Sequence, residues 1–173
     1  MQHPSLQIAL VTESYPPEVN GVATSVWRIV HGMRARGHRV QLIRPRQRDE
    51  AAPSQDDDEA GEIVTSGVPI PMYGHLRMGL PASERLARAW TRRRPDIVHV
   101  ATEGPLGWSA LRTARSLQVP VCSDFRTNFQ AYGRYYGLGL LRRPIMAYLR
   151  SFHNHCQATM VPTAAMQQQL AAA

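Results

Sequence analysis

Short apolar runs alternate with amphipathic stretches along almost the whole chain, and this alternation limits the fold more than any other feature of the sequence. Short apolar runs bounded by turn residues predict buried strands, whereas apolar residues three and four positions apart predict helices. The predicted strands cover residues 6–12, 38–44, 62–66, 96–101, 119–124 and 158–161. The predicted helices cover residues 21–36, 83–94, 107–117, 141–156 and 164–170. This order predicts an α/β fold: one Rossmann-like domain over residues 1–173, built on a doubly wound, mainly parallel sheet.

Two segments depart from the alternation. Residues 46–61 are polar and acidic, and we expect them to form a flexible insertion. Residues 67–82 are rich in Pro and Gly, which predicts irregular structure. Parallel sheets of this kind bind ligands beyond the carboxyl ends of their strands. The site is therefore expected in residues 12–21, 101–107 and 124–137.

The composition is that of a soluble, globular protein, with a hydrophobic fraction of 43%. No apolar run approaches the roughly 20 residues that a membrane-spanning helix needs, and residues 1–4 do not begin a secretory signal. Cys122 and Cys156 have no metal-type spacing, which favours reduced cysteines and a cytoplasmic location. His153 and His155 have no acid at suitable helical spacing, so no metal site is expected.

All 20 basic residues are Arg, and the formal net charge is +7. The lack of Lys excludes Schiff-base chemistry and a P-loop lysine. Six of the 13 acidic residues fall within residues 49–59, so the remainder of the chain is strongly basic. Such charge favours phosphate-bearing partners or an anionic membrane surface, with a solvated basic surface as the alternative. No nucleic-acid motif accompanies the arginines, so a nucleic-acid partner is not expected.

The turn between the first strand and the first helix contains neither GxGxxG nor GxxxxGK[ST]. It keeps a single glycine, Gly21, at the amino terminus of a helix, directly after Asn20. A glycine there lets a ligand approach the backbone, and the free N–H groups and the helix dipole attract an anion. An ordinary turn is the alternative interpretation.

Several short motifs follow one another in a fixed order. They are Ser-Tyr-Pro-Pro-Glu-Val-Asn-Gly-Val-Ala at 14–23, Gly-His-Arg-Val at 37–40, Pro-Asp-Ile-Val-His-Val at 95–100, Gly-Pro-Leu-Gly at 104–107, Thr-Asn-Phe at 127–129 with Tyr132 and Tyr-Tyr-Gly at 135–137, and Val-Pro-Thr at 161–163. Together they resemble the N-terminal, acceptor-side domain of family-4 retaining glycosyltransferases of the GT-B fold, and in particular the α-mannosyltransferases that act on lipid acceptors. The resemblance covers nearly the whole chain.

The resemblance implies roles for individual residues. Asn20 and Gly21 would face the diphosphate of a nucleotide-sugar donor. The acceptor-binding positions would be Tyr15, Thr127, Asn128 and Tyr132.

Two further residues are candidates for a catalytic role. Glu103 follows a strand end, where it could bind an acceptor hydroxyl or simply stabilise a helix amino terminus. Arg126 stands where most relatives carry His. Arg cannot act as a general base, so Arg126 would bind an anionic group of donor or acceptor, or pair with Asp124.

The implied function is transfer of a hexose, with mannose as the candidate, from a nucleotide-diphosphate sugar to a lipid or glycan hydroxyl. The resemblance implies no cofactor and no metal. It also implies that a C-terminal donor-binding domain is absent from these 173 residues and that the chain is inactive without that domain or a partner chain. The alternative function is a non-catalytic module that binds a membrane surface or a glycan.

Arginines crowd the predicted helix at 83–94. A narrow apolar face of Leu86, Ala89 and Trp90 lies beside them, so charge plus apolar insertion would allow docking on anionic lipid, peripherally on the inner face of the plasma membrane. A solvated helix is the alternative. The arginines concerned are Arg85, Arg88, Arg92, Arg93 and Arg94.

Overall fold

A computed structural model of the chain describes residues 4–47, 50, 61–70, 73–126 and 142–171. Its strands are β1 Gln7–Val11, β2 Arg39–Pro45, β3 Glu62–Thr65, β4 Gly67–Ile70, β5 Tyr73–Gly79, β6 Ile97–Val100, β7 Val121–Asp124 and β8 Ala158–Met160. Its helices are α1 Gly21–Ala35, α2 Ser83–Arg92, α3 Pro105–Ser116, α4 Arg142–Asn154 and α5 Ala164–Ala171.

Six strands form one parallel sheet in the order β3-β2-β1-β6-β7-β8. Counted among themselves, the strands run 3-2-1-4-5-6, which is the order of dinucleotide-binding Rossmann folds. The predicted fold class is therefore confirmed. The chain reverses its direction of travel across the sheet between β1 and β6, and the carboxyl ends of these two strands mark the place where such sheets hold ligands.

Helices cover both faces of the sheet, as the side chains of β1 show. Ile8 and Leu10 join a core cluster with Val26 and Val30 of α1. Ala9 and Val11 point to the opposite face, because side chains alternate along a strand. There they join the larger core cluster, which includes Trp90 of α2, Leu111 of α3 and Phe152 of α4.

The prediction of irregular structure over residues 67–82 is wrong for residues 67–70 and 73–79. Strands β4 and β5 form an antiparallel hairpin, in which Gly67 pairs with Gly79 and Pro69 with Arg77. Gly67 allows close packing of the hairpin against β2, because a Cβ at this position would lie 2.8 Å from the side chain of Pro45. Helix α3 also begins earlier than predicted, because Pro105 occupies its first turn, where a missing N–H costs nothing.

Only part of the predicted acidic insertion lies within the described residues. Glu50 accepts hydrogen bonds from Nη1 and Nη2 of Arg44, at 2.7 and 2.6 Å, and thus ties the start of the segment to β2. Residues 48, 49 and 51–60 lie outside the described residues, so the flexibility of the insertion stays a prediction.

Candidate functional site

A cleft of ≈ 570 Å³ opens at the carboxyl ends of β1 and β6. It lies at the switch point of the sheet, where the fold favours ligand binding. Six parts of the chain meet there: the loop after β1, the amino end of α1, the β4–β5 hairpin, and the three loops that follow β6, β7 and β8. The residues that line the cleft include Glu13, Ser14, Asn20, Gly21, Val22, Arg77, Thr102 and Arg126.

The amino terminus of α1 forms one wall of this cleft. Asn20 is the N-cap: its Oδ1 accepts a hydrogen bond from the backbone N of Ala23 at 2.8 Å, and its Nδ2 donates to Oγ of Ser14 at 2.7 Å. Among the described residues, the backbone N–H groups of Gly21 and Val22 have no acceptor. A Cβ added to Gly21 would meet nothing within 4 Å, so this end of the helix is open to a ligand.

Asn20 and Gly21 thus lie together on the cleft, but they differ in what they offer an anion. The amide of Asn20 is engaged in capping the helix, whereas Gly21 offers free N–H and open space. An anion at this position would be held by backbone donors and the helix dipole. The diphosphate contact expected from the sequence stays a prediction, and the geometry favours the backbone of Gly21 and Val22 as its donors.

Arg126 pairs with Asp124, as one of the two interpretations of the sequence expected, and it also lines the cleft, whereas its binding of an anionic group stays a prediction. Its Nε and Nη2 donate to Oδ2 of Asp124 at 2.7 and 2.5 Å, and the same residue lines the cleft. Asp124 is 5% exposed, and its Oδ2 also lies 3.1 Å from Nε2 of the buried His99, without hydrogen-bond alignment. Burial acts to raise the pKa of Asp124, but His99 and Arg126 outweigh it and hold that pKa below its ordinary value. The ionised Asp124 therefore fixes one edge of a guanidinium whose Nη1 has no partner among the described residues.

Glu103 is not among the residues that line the cleft. Its Oε1 accepts a hydrogen bond from Nε2 of His153 at 3.2 Å, and Nδ1 of this imidazole lies 2.9 Å from Oγ of Ser123. The side chains of Glu103 and His153 are only 13% and 11% exposed. Tyr148 also donates its hydroxyl hydrogen to the backbone oxygen of Glu103. These contacts hold α4 against the loop after β6, and the catalytic role of Glu103 stays a prediction.

The expected acceptor residues are placed only in part. Tyr15 packs against the core cluster beneath α1 and is not among the cleft residues. Burial raises the pKa of its phenol above the ordinary value. Thr127, Asn128 and Tyr132 lie outside the described residues.

Glu13 is a cleft residue that the sequence did not single out. Its Oε2 accepts a hydrogen bond from the backbone N of Gly79, and its Oε1 accepts one from the backbone N of Leu106 at 3.3 Å. Burial raises the pKa of the carboxyl from 4.5 to about 7, against the lowering effect of these two N–H donors. Its position directly after β1 was the available signal, because that strand end lies at the switch point.

The comparison with known proteins agrees with this geometry. Residues 19–173 match the family described as Glycosyltransferase Family 4. The chain belongs to this family. It is 32% identical, over 170 residues, to a GDP-mannose-dependent alpha-mannosyltransferase of Mycolicibacterium smegmatis, a match that covers 96% of the chain and 44% of the relative.

The names of two less similar relatives of this family-4 chain refer to other sugars. A sulfoquinovosyl transferase of Arabidopsis thaliana is 28% identical over 168 residues, 96% of the chain and 32% of the relative. An alpha-monoglucosyldiacylglycerol synthase of Streptococcus pneumoniae is 28% identical over 161 residues, 91% of the chain and 35% of the relative. The chain thus spans less than half the length of these relatives.

The arginine-rich helix of this glycosyltransferase chain does not have a free apolar face. Leu86, Ala89 and Trp90 are buried in the larger core cluster, and Nε1 of Trp90 donates to Oε1 of Gln41 at 3.1 Å. The expectation that this face inserts into lipid is therefore wrong for the structure described. A docking role for α2 depends on charge alone.

The five arginines of this region are also not equivalent. Arg85 donates to the backbone oxygen of Val64 at 2.6 Å. Arg93 donates to the side chain of Gln7, and Arg94 donates to the backbone oxygen of Gln118, both at 3.1 Å. These contacts lie at the amino ends of the strands, opposite the cleft. Arg88 and Arg92 are the exposed members of the group that have no partner among the described residues.

Two features are absent from the part of this family-4 chain that the structure describes. No helix is long and apolar enough to cross a membrane. No group of three or more His, Cys, Asp or Glu side chains is placed to hold a metal ion.

Proposed function

We propose that the complete gene product transfers a hexose from a nucleotide-diphosphate sugar to a hydroxyl of a lipid or glycan, with retention of configuration, and that this chain forms the acceptor-side wall of the site. The observation that carries the proposal is the open amino terminus of α1 at the switch point, with free N–H groups on Gly21 and Val22. Such a terminus is suited to a phosphate group.

The reaction requires stabilisation of a departing diphosphate. The bond from C1 of the sugar to the β-phosphate oxygen breaks, and a bond from C1 to the acceptor oxygen forms. The proton of the acceptor hydroxyl passes to the leaving phosphate, which gathers negative charge as the bond breaks. The helix terminus and the guanidinium of Arg126, both on this cleft, would stabilise that charge.

This arrangement supplies positive charge without a metal ion. An arginine side chain is not a general base, so the role of Arg126 in the proposal is electrostatic. We accordingly propose that the enzyme uses no cofactor beyond its donor substrate.

The names of the relatives narrow the proposed substrates. Three of them are GDP-mannose-dependent alpha-mannosyltransferases, which favours GDP-mannose as donor. A diacylglycerol glycolipid appears in the names of two others, which favours a lipid acceptor. A lipid acceptor would place the protein in the cytoplasm, peripherally on the inner face of the membrane, where Arg88 and Arg92 can meet anionic lipid.

The test is a transfer assay on the complete gene product. GDP-mannose, UDP-glucose and other nucleotide sugars are each supplied with diacylglycerol glycolipids, and the product anomer is assigned by NMR. We expect an α-hexoside from a GDP-mannose reaction and no turnover by residues 1–173 alone. Transfer by no donor, with lipid or glycan binding retained, would instead establish the alternative of a non-catalytic binding module.

A further inference from the structure

The β4–β5 hairpin supplies the wall of the cleft that faces the amino end of α1. Arg77 lies on β5 and lines the cleft, and Gly79 follows two positions later on the same face of the strand. The placement of Arg77 therefore depends on how the end of β5 is held.

The end of β5 is held by Glu13. Its carboxylate accepts the N–H of Gly79 on one oxygen and the N–H of Leu106, in the first turn of α3, on the other. The fit is close, because a Cβ on Gly104 would come within 2.0 Å of Oε1 of Glu13. A third contact, from the backbone N of Glu13 to Oγ1 of Thr102 at 2.8 Å, fixes the start of the same loop. One side chain thus joins β1, the hairpin and α3.

Arg77 has donors that the protein does not satisfy. Its Nη2 donates to the backbone oxygen of Gly67, but its Nε is buried and has no hydrogen-bond partner among the described residues. Its Nη1 also has no partner among the described residues but is not buried, so it is the donor that an anionic ligand in the cleft would meet. Arg77 shares the cleft with Arg126 and the free N–H groups of α1.

We propose that Arg77 binds an anionic group of the ligand in this cleft, and that Glu13 is the positioning residue that holds Arg77 in place through Gly79 and the hairpin. The ligand class is a phosphate or carboxylate, carried by the donor diphosphate or by the acceptor. The inference rests on the proposed function, since it assumes that the cleft binds a nucleotide-sugar donor beside its acceptor.

The test is a double-mutant cycle on the complete gene product, with GDP binding measured by calorimetry and KM measured for each substrate. We expect Arg77→Gln to weaken binding of the anion-bearing substrate about tenfold or more, as loss of a charge-assisted hydrogen bond does. Glu13→Gln should weaken it less, because its amide can accept only one of the two N–H groups. The double variant should bind no more weakly than Arg77→Gln alone, since Glu13 acts through Arg77.

Matched controls are Glu84→Gln and Arg28→Gln, which remove exposed charges from α2 and α1 outside the cleft. Thermal unfolding of every variant shows whether it is folded, and Glu13→Asp replaces Glu13→Gln in the cycle if the latter is not. An effect confined to the acceptor KM assigns the anion to the acceptor, and an effect on GDP affinity assigns it to the donor.

Two results would overturn the inference while the proposed function stands. If the wild-type protein binds GDP and both single variants retain wild-type GDP affinity and KM values, Arg77 is not a ligand-binding residue. If the losses add in the double variant, Glu13 does not act through Arg77. If the wild type binds neither GDP nor UDP, the proposed donor site fails and the inference falls with it.

Discussion

Replacement of Glu13 by Gln should change how the stability of the protein depends on pH. Burial raises the pKa of this carboxyl from 4.5 to about 7 in the folded protein, so the folded state keeps a proton that the unfolded chain releases. The resulting stabilisation is complete below pH 4.5 and is lost as the pH rises to about 7. Each pH unit in this window changes the free energy of unfolding by about 1.4 kcal/mol, so the whole loss is about 3 kcal/mol.

Glu13→Gln removes this loss, because the amide does not titrate. At pH 5 the variant should be less stable than wild type by about 1–3 kcal/mol, since one of the N–H groups of Gly79 and Leu106 loses its acceptor. Between pH 5 and pH 8 the difference should move in favour of the variant by about 3 kcal/mol.

The assay is urea unfolding of the complete gene product at half-unit pH steps, with the difference between variant and wild type taken at each step so that other titrating groups cancel. Glu84→Gln, which removes an exposed carboxylate, gives the background. Direct support would come from a carboxyl infrared band that titrates near pH 7 and is absent from the variant. Parallel pH profiles for wild type and Glu13→Gln would refute the reasoning, because they would mean that the carboxyl is ionised in the folded protein throughout this range.

Three other variants test the cleft and the basic helix. Gly21→Ala should leave the thermal midpoint unchanged, because its Cβ meets no atom within 4 Å, yet weaken GDP binding about tenfold by blocking the helix terminus; unchanged affinity would contradict this. Asp124→Asn should cost about 3 kcal/mol in urea unfolding at pH 7, because it leaves Arg126 without its counter-charge. Pairing holds the pKa of Asp124 below its ordinary 3.8, so the difference in stability between wild type and Asp124→Asn should shrink as the pH falls below 3.8. A difference that stays constant with pH would contradict the prediction. The double variant Arg88→Gln, Arg92→Gln should co-sediment with anionic vesicles about tenfold less than wild type does, and its binding to neutral vesicles should be unchanged. If variant and wild type bind anionic vesicles equally, docking through α2 is excluded.

The sheet and its helices could be predicted because their signals are local. Gly21 follows a capping Asn20, and Gly37 ends the first helix with a φ of +84°, a backbone conformation that glycine adopts readily. The apolar residues of β1 are buried on both faces, which is typical of a central parallel strand. Alternation of such elements leaves few possible topologies, so a doubly wound, mainly parallel sheet could be predicted, although the order of its strands was not.

The cleft could be predicted only in part, because its remaining contacts join residues far apart in the chain. Glu13 reaches the backbone of Gly79 across 66 positions and that of Leu106 across 93. The hairpin was missed because the same glycines and prolines that permit its close packing are also typical of loops. Arg77 was missed with the hairpin, since nothing in its neighbourhood predicts which side of a strand it occupies.

The close packing around Glu13 has a consequence for how this family can vary. Gly104 lacks room for a methyl group because the Glu13 carboxyl lies against it, with Oε1 at 2.0 Å from the added carbon, whereas a carbon added to Gly79 would meet Leu106 first, at 2.8 Å. A mutation at Gly104 would therefore be tolerated only in a background where position 13 had already become smaller. Positions 13 and 104 form an epistatic pair, and in an alignment of relatives they should covary: lineages that lose the acid at 13 are those in which 104 is free to vary.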